Sequence, residues 1–555
     1  MAKLYADVPA GLARTIPAST NPANVSWDIE SGLSNDTTPT ANLSIMTPPQ
    51  QQRPKTMNSN EQLQFVLKKV AFTGVSHTLP IPVAKIYQQY IDKLIDANDL
   101  FAMQQHMQEA YRDAGYLLVR VVLPPQEIDK SSGEVTFQIV EGQIQRVIFT
   151  GDMPRGAKAQ LERYANAIAE EDPITYQTID RFLQLANSLP GIYVNATLVP
   201  NLSVPGGSDL IIKVTQKSLS GFVTYNNHNS DYIGPDQAFF GMSLNDLLAA
   251  DSLSFTGGTT PGNLRALYYY SLGYSLTTGK SGTELNLQYS NTETRPGSSL
   301  SAFEMYGTSD KLTLGANQPL ITSNAQKLKW TNSFYYLQSL NNAQALDTEL
   351  YDDQVTAFTT GLTYQGVYWQ MENSMDGYFT FGVPVGIPST LSDPSRINGK
   401  NRFTLFDFDT SSIHYFTQRF SAAFNTTGQY TTSPLLTSEQ LGYGGSNFGQ
   451  AFTPYIISGD SGIFGVFALR YDLPTFGAIN LLQPEIFYDV GYVKNNDALL
   501  GTYGEANASS AGIGLNVIML SSVQIQAVLA KPITLTQVSG VGNAWQGFVN
   551  FVATF

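Results

Sequence analysis

From about residue 218 to Phe555 the helical period disappears, and short segments alternate apolar with polar residues between breaks of Gly, Asn, Ser, Asp and Thr. Leu285, Leu287 and Tyr289 alternate with Glu284, Asn286 and Gln288. Ile513, Leu515, Val517 and Met519 lie opposite Gly514 and Asn516. A period of two belongs to strands with two unlike faces. The polar face is mostly small and uncharged, as a wet lumen tolerates. In the last eleven residues Trp545, Gly547, Val549, Phe551, Ala553 and Phe555 share one face. Gln546, Asn550 and Thr554 share the other, with Phe548 and Val552 between them. Such a strand fits the closing strand of an outer-membrane β-barrel, and taken alone it fits the last strand of a soluble sheet equally well. A soluble β-helix or pair of sandwiches is the alternative for the whole region, but it leaves the aromatic excess and the terminal Phe unexplained. Residues 218–555 number 338, which allows about 21 per strand and connection if sixteen strands are present. Periodicity does not set that number.

Composition narrows the choice. Only 14% of residues are charged, while Tyr and Phe number 30 each. No run of eighteen apolar residues occurs, which removes a transmembrane helix but not a barrel, whose lipid-facing residues come at every second position. The chain has no cysteine, so disulfide scaffolds and thiol chemistry are excluded. A net charge of −14 argues against a nucleic-acid partner. The opening Met1-Ala-Lys-Leu-Tyr-Ala lacks the basic, apolar and small-residue regions of a signal peptide. An exported protein needs one, so a mature form or a mis-set start is the expectation.

Four regions follow in order. Residues 1–60 are an N-terminal segment ending in a Pro-rich linker, Thr47-Pro-Pro-Gln-Gln-Gln-Arg-Pro. Within it Asn24-Val-Ser-Trp-Asp-Ile-Glu-Ser-Gly-Leu33 reads as a short helix with Asn24 as cap, which needs a cavity or partner to hold it. Residues 61–145 read β-α-α-β-β: a strand over Leu63–Phe72, helices on Val83–Leu94 and Leu100–Ala114, and strands on Tyr116–Leu123 and Glu134–Val140. The order repeats over 146–217. Two tandem βααββ units make small α+β domains whose sheet edges accept an added strand. Residues 218–555 form the barrel region.

Several stretches resemble the outer-membrane transporters of two-partner secretion, the TpsB proteins of FhaC/ShlB type in the BamA-related superfamily. Tyr111-Arg-Asp-Ala-Gly-Tyr-Leu-Leu-Val-Arg-Val-Val-Leu-Pro124 with Ile139-Val-Glu-Gly-Gln-Ile144 resembles the family's first POTRA domain. Leu189-Pro-Gly191 with Pro205-Gly-Gly-Ser-Asp-Leu210 resembles the second. Ser438-Glu-Gln440, Gly444-Gly445, Phe448-Gly-Gln-Ala-Phe452 and Gly459-Asp-Ser-Gly462 resemble the long sixth loop and the strand after it. Ala530-Lys-Pro-Ile533 resembles a signature near the end. The resemblance covers roughly residues 61–555. It implies two periplasmic POTRA domains and a sixteen-stranded barrel in the outer membrane of a Gram-negative bacterium. It also implies a pore plugged by an N-terminal helix carrying Trp27, Ile29 and Leu33.

The implied task is nucleotide-free export of one unfolded TpsA-like partner, recruited as an added strand on a POTRA edge. No cofactor and no nucleic acid are implied. The other partners are outer-membrane lipid and the barrel assembly machinery that inserts a monomer. The alternatives are a BamA-like assembly factor and a passive porin or surface-binding barrel.

In the family an Arg at the loop tip reaches a lumen-facing Asp. Here the loop motif is Gly445, Phe448, Gly449, Gln450, Gly459 and Asp460, with Gln450 at the Arg position. The matching carboxylate is Asp489, which the alternation of Ile486, Tyr488, Val490 and Tyr492 also turns into the lumen. A carboxylate there needs water, a donor or a cation. Arg470 faces the same way, opposite Leu469 and Tyr471, so it is expected to supply the missing charge.

Gly459-Asp-Ser-Gly462 has the letters of a serine-protease nucleophile site. A Ser nucleophile needs a His base and an orienting acid, yet His77, His106, His228 and His414 are scattered and lack metal spacing. Asp407 and Asp409 read as an alternating strand pair rather than a calcium site. The chain reads as a transporter and not an enzyme.

Overall fold

A computed structural model describes residues 16–33, 43–45, 64–74, 83–129, 131–201, 203–204, 206–388, 391, 393–497, 503–538 and 542–555. The N-terminal stretch without a signal-peptide pattern and the Pro-rich stretch Thr47–Pro54 lie outside these residues. The chain divides into two compact units, one holding the N-terminal helix and the barrel, the other the two βααββ modules.

The N-terminal helix α1 runs Pro22–Leu33, starting earlier than expected. Its cap is Asn21 rather than Asn24: the Asn21 side chain accepts from the Ala23 N–H at 2.9 Å. Pro22 takes the first helical position, where no N–H is missed. Asn24 lies inside the helix and donates to the Ala18 carbonyl at 3.0 Å.

The second unit carries a short strand, β1 (Leu43–Ile45), and then the modules. The first module contains β2 (Phe65–Val66), β3 (Lys69–Thr73), α2 (Ala84–Tyr87), β4 (Leu94–Ile95), α3 (Ala97–Asp113), β5 (Arg120–Val122) and β6 (Glu134–Val140). The single strand expected over Leu63–Phe72 is broken because Leu67 turns wholly into the core, its N–H donating to the Lys93 carbonyl at 3.1 Å. The expected helix over Val83–Leu94 stops early. Asp92 takes a positive φ of 61°, and Leu94–Ile95 pairs with Phe65–Val66. The regular strand after α3 is shorter than expected, Arg120–Val122. Helix α3 begins at a reciprocal cap, with Asp96 accepting from Asp99 N–H and Asp99 accepting from Asp96 N–H, each at 3.0 Å. Leu100, Met103, Met107 and Tyr111 form its buried stripe against the sheet β3-β6-β5. The second module contains β7 (Gln143–Gly151), α4 (Lys158–Ala169), α5 (Tyr176–Asn187), β8 (Ile192–Pro200) and β9 (Gly207–Gln216). Its sheet order is β1-β8-β9-β7, with β1 added parallel to β8.

The barrel is closed and antiparallel. Its strands are β10 (Leu219–Asn226), β11 (Gln237–Asn245), β12 (Asp251–Thr259), β13 (Leu267–Thr278), β14 (Thr283–Thr294), β15 (Met305–Thr322), β16 (Gln326–Ala343) and β17 (Thr348–Tyr368). They continue as β18 (Met371–Gly382), β19 (Thr404–Tyr415) and β20 (Phe420–Thr431). After that come β21 (Leu441–Tyr443) and β22 (Ile457–Gly459), a hairpin of the long loop that takes no part in the barrel wall. The wall resumes with β23 (Ser461–Tyr471), β24 (Ile479–Lys494), β25 (Glu505–Met519), β26 (Val523–Leu535) and β27 (Gln546–Thr554). Sixteen strands therefore form the wall. β27 closes on β10, with Tyr225 opposite Phe551. Gly221 and Phe555 exchange both main-chain hydrogen bonds, at 3.0 and 2.9 Å. The alternation has its expected cause: on β24 Ile486 is 57% exposed on the lipid side while Asp489 is fully buried on the other.

Candidate functional site

The long loop between β20 and β23 folds back into the barrel, and its tip meets the wall at Asp489. A positive φ of 74° at Gly449 turns the chain so that the Gln450 N–H donates to Asp489 Oδ2 at 3.1 Å. The Tyr443 hydroxyl donates to Asp489 Oδ1. Gly491, two residues along the wall, leaves the space that the Tyr443 ring fills; a Cβ there would strike it. Ser510, directly opposite Asp489 on β25, donates through its N–H at 3.0 Å and its hydroxyl at 2.7 Å. A register shift at Ser509/Ser510 accompanies this placement, at the point where Pro532 of β26 is the partner. Phe452 and Phe464 pack against the Tyr443 ring, and Phe448 packs on Phe464. Asp489 is thus a buried carboxylate held by neutral donors, which hydrogen bonding makes tenable.

Two expectations need correction. The Gln450 side chain is not the group that reaches Asp489: its main-chain N–H makes that contact, and the other donors to the carboxylate among the described residues are Tyr443 and Ser510. Nor does Arg470 supply charge to Asp489. It lies directly opposite Glu485 across β23 and β24 and pairs with it at 2.9 Å, so register gave it a nearer carboxylate.

The root of the loop holds a cation that the sequence did not reveal. Arg396, between β18 and β19, pairs with the fully buried Asp460 and donates to the Leu435 carbonyl at 2.7 Å. Asp460 also accepts from Leu435 N–H at 3.0 Å, Asn496 N–H at 2.8 Å and Gln440 Nε2 at 3.3 Å. Gly459-Asp-Ser-Gly462 is therefore a structural junction: Ser461 exchanges hydrogen bonds with the Thr431 main chain, at 3.0 and 3.1 Å.

Helix α1 lies inside the barrel. Val25 and Ile29 pack with Ile233, Phe239, Leu267 and Tyr269, and Leu33 flanks that cluster, whereas Trp27 is half exposed. Glu30 accepts from Lys311 on β15 at 3.1 Å and from Ser290 on β14 at 2.8 Å. Asn21 accepts from Ser339 on β16 at 3.0 Å. Lys311 also stands 5.9 Å from the Tyr335 ring, whose hydroxyl donates to Glu439 at the loop's root at 2.8 Å. Elsewhere the lumen wall has a recess lined by small polar groups, among them Ser254, Ser275, Asn286, Gln288, Thr313 and Thr331. Of the C-terminal residues Trp545, Phe551 and Phe555, the first and last are exposed and Phe551 is half-buried in the closing pair with β10.

Comparison with known proteins places this geometry. Residues 206–517, more than half of the chain, match the family model of the haemolysin secretion/activation proteins ShlB/FhaC/HecB. The chain belongs to that family. Residues 65–142 match the ShlB-type POTRA domain. The protein is accordingly an outer-membrane β-barrel transporter of the two-partner secretion family, with periplasmic POTRA domains. It is 23% identical over 527 residues to a haem/hemopexin transporter protein, HuxB, of Haemophilus influenzae, covering 90% of this chain and 89% of that one. It is 19% identical to the outer membrane transporter CdiB of Dickeya dadantii over 78% of this chain and 77% of that one. The solved CdiB from Escherichia coli shares its fold at a TM-score of 0.72, with 20% identity over 92% of this chain and 94% of that one. BamA from Haemophilus ducreyi is more distant, at 13% identity and a TM-score of 0.52 over 88% of this chain and all of that one.

Proposed function

We propose that the protein recruits an unfolded partner exoprotein through its POTRA domains and passes it through the barrel without nucleotide, acting as a monomer in outer-membrane lipid after insertion by the barrel assembly machinery. The observation that carries this reading is that the lumen is filled by two separable elements, helix α1 and the infolded loop. Helix α1 meets the wall through a small apolar cluster and a few polar contacts, whereas the loop is bonded to Asp489 and shares a larger apolar cluster with the wall. A passive porin has no use for a removable helix, whereas an exporter must seal at rest and open for its cargo.

The test compares culture supernatant and outer membrane with and without the gene. Loss of one large secreted protein, with the barrel proteome intact, supports the exporter and names its cargo. A broad loss of outer-membrane barrels would point instead to an assembly factor. No change in either would leave a porin or binding barrel.

A further inference from the structure

Strand β5 forms one edge of the first POTRA sheet, with β6 on its inner side only. In an antiparallel edge strand every second residue points its N–H and C=O outward. On β5 and just before it these residues are Val119 and Val121, and their outward groups are engaged by two side chains of helix α3. Gln108 accepts the Val121 N–H at 2.9 Å and donates to the Val119 carbonyl at 2.7 Å. Gln104 donates to the Val121 carbonyl at 2.9 Å. The two glutamines are four residues apart, so they project from one helix face. A primary amide carries one acceptor and a paired donor, the same set as a peptide unit. A third glutamine does likewise where the chain leaves the sheet: Gln126 donates to the Thr136 carbonyl and accepts its N–H, both at 2.8 Å.

The second module shows the same edge with a different occupant. Its β8 holds the place that β5 holds in the first, and there β1, an extended segment, pairs through Leu43↔Ala196, Ser44↔Thr197 and Ile45↔Leu198. One edge is completed by main chain and the other by side chains that imitate it.

We propose that Gln104 and Gln108 are a displaceable substitute for a strand on the first POTRA domain, and that an extended segment of the exported partner docks by exchanging its own main chain for the two amides. This rests on the exporter reading above. The exchange leaves the number of hydrogen bonds on β5 unchanged, so the edge is never left bare and random strands gain little from it. Selectivity then falls to the partner's side chains along α3 and β5.

The test uses the full chain in detergent or nanodiscs. In Gln108→Ala the Val121 amide loses its acceptor, and its hydrogen exchange is expected to quicken at least tenfold while β6 keeps its protection. The binding probe is the amino-terminal segment of the protein that disappears from the supernatant in the deletion comparison. Gln104→Ala with Gln108→Ala is expected to bind that segment five- to thirtyfold more tightly, and Gln108→Glu, which keeps only the acceptor, to fall between. Equal or weaker binding by the double variant, with α3 still folded, overturns the exchange. If the truncations unsettle α3, a benzophenone placed on Gln104→Cys in this cysteine-free chain must capture the segment; failure to capture it also overturns the proposal. If no supernatant protein is lost, the exporter reading falls instead.

Discussion

The main-chain N–H of Gln450 donates to Asp489 at 3.1 Å, while the side-chain oxygen of the same residue finds no partner among the described residues. Side-chain identity at position 450 is therefore nearly irrelevant to the resting loop, and Tyr443 is not. Gln450→Ala should leave the loop in place. Tyr443→Phe removes a donor from a buried carboxylate and should cost about 1–3 kcal/mol. A pair of nitroxides on Asn447→Cys and Asn507→Cys reads the outcome as a single narrow distance for the first variant and a broadened one for the second. The reverse pattern would refute this account.

Glu30 and Lys311 form an ion pair between helix α1 and the barrel wall, the ionic part of the proposed seal. Both are roughly three-quarters buried, so their attraction is worth more than a fully exposed pair yet still responds to salt. Glu30→Gln should weaken the seal by about 1 kcal/mol, or roughly fivefold in the open fraction. Planar-bilayer recordings should show more frequent large conductance steps, and raising KCl to about 1 M should narrow the difference from wild type. Identical recordings at low salt would argue against the pair as a latch.

At the loop's root, Arg396→Ala strands the buried Asp460. Removing one partner of a buried pair costs about 3–5 kcal/mol. Arg396→Ala should therefore expose residues 432–460 to added protease on intact cells, and Arg396→Ala with Asp460→Asn should recover part of the protection. A single variant as resistant as wild type would contradict the contact.

In the second POTRA domain the Arg146 guanidinium, 2.5 Å away, holds the Asp209 carboxyl below the usual carboxylate range, and Asn201 adds a hydrogen bond. A depressed folded pKa means stabilisation that is present above the unfolded pKa and lost as pH falls through the folded one. Wild type should thus lose its advantage over Asp209→Asn only below about pH 4. Hydrogen exchange of β7 and β9 in the full chain, followed from pH 7 downward, measures this. An advantage that instead grew on acidification would reverse the sign.

The barrel was readable in the sequence because lipid selects one face of every strand, and that selection leaves a period. The modules were readable in order but not in extent. Leu67 and Asp92 break a strand and a helix through tertiary contacts that local pattern does not carry. At the site, the side on which Asp489 and Arg470 lie follows from alternation alone. Their partners depend on register, and register placed Glu485 opposite Arg470 and Ser510 opposite Asp489. Arg396 had no sequence signal, because its loop has no period and its carboxylate is 64 residues away. Asn24 was the expected cap, but Pro22 begins the helix earlier, and Asn21 just before it takes that place.

The recess of Ser, Thr, Asn and Gln in the lumen wall bears on how a polypeptide would travel past it. Each hydroxyl or amide trades a bond to water for an equivalent bond to the passing backbone, so no position along the way holds the traveller deeply. Such a surface gives friction without traps. It also gives no direction, so a chain inside would diffuse back as readily as forward. Net movement would have to be imposed at the exit, by whatever prevents the emerged part from returning.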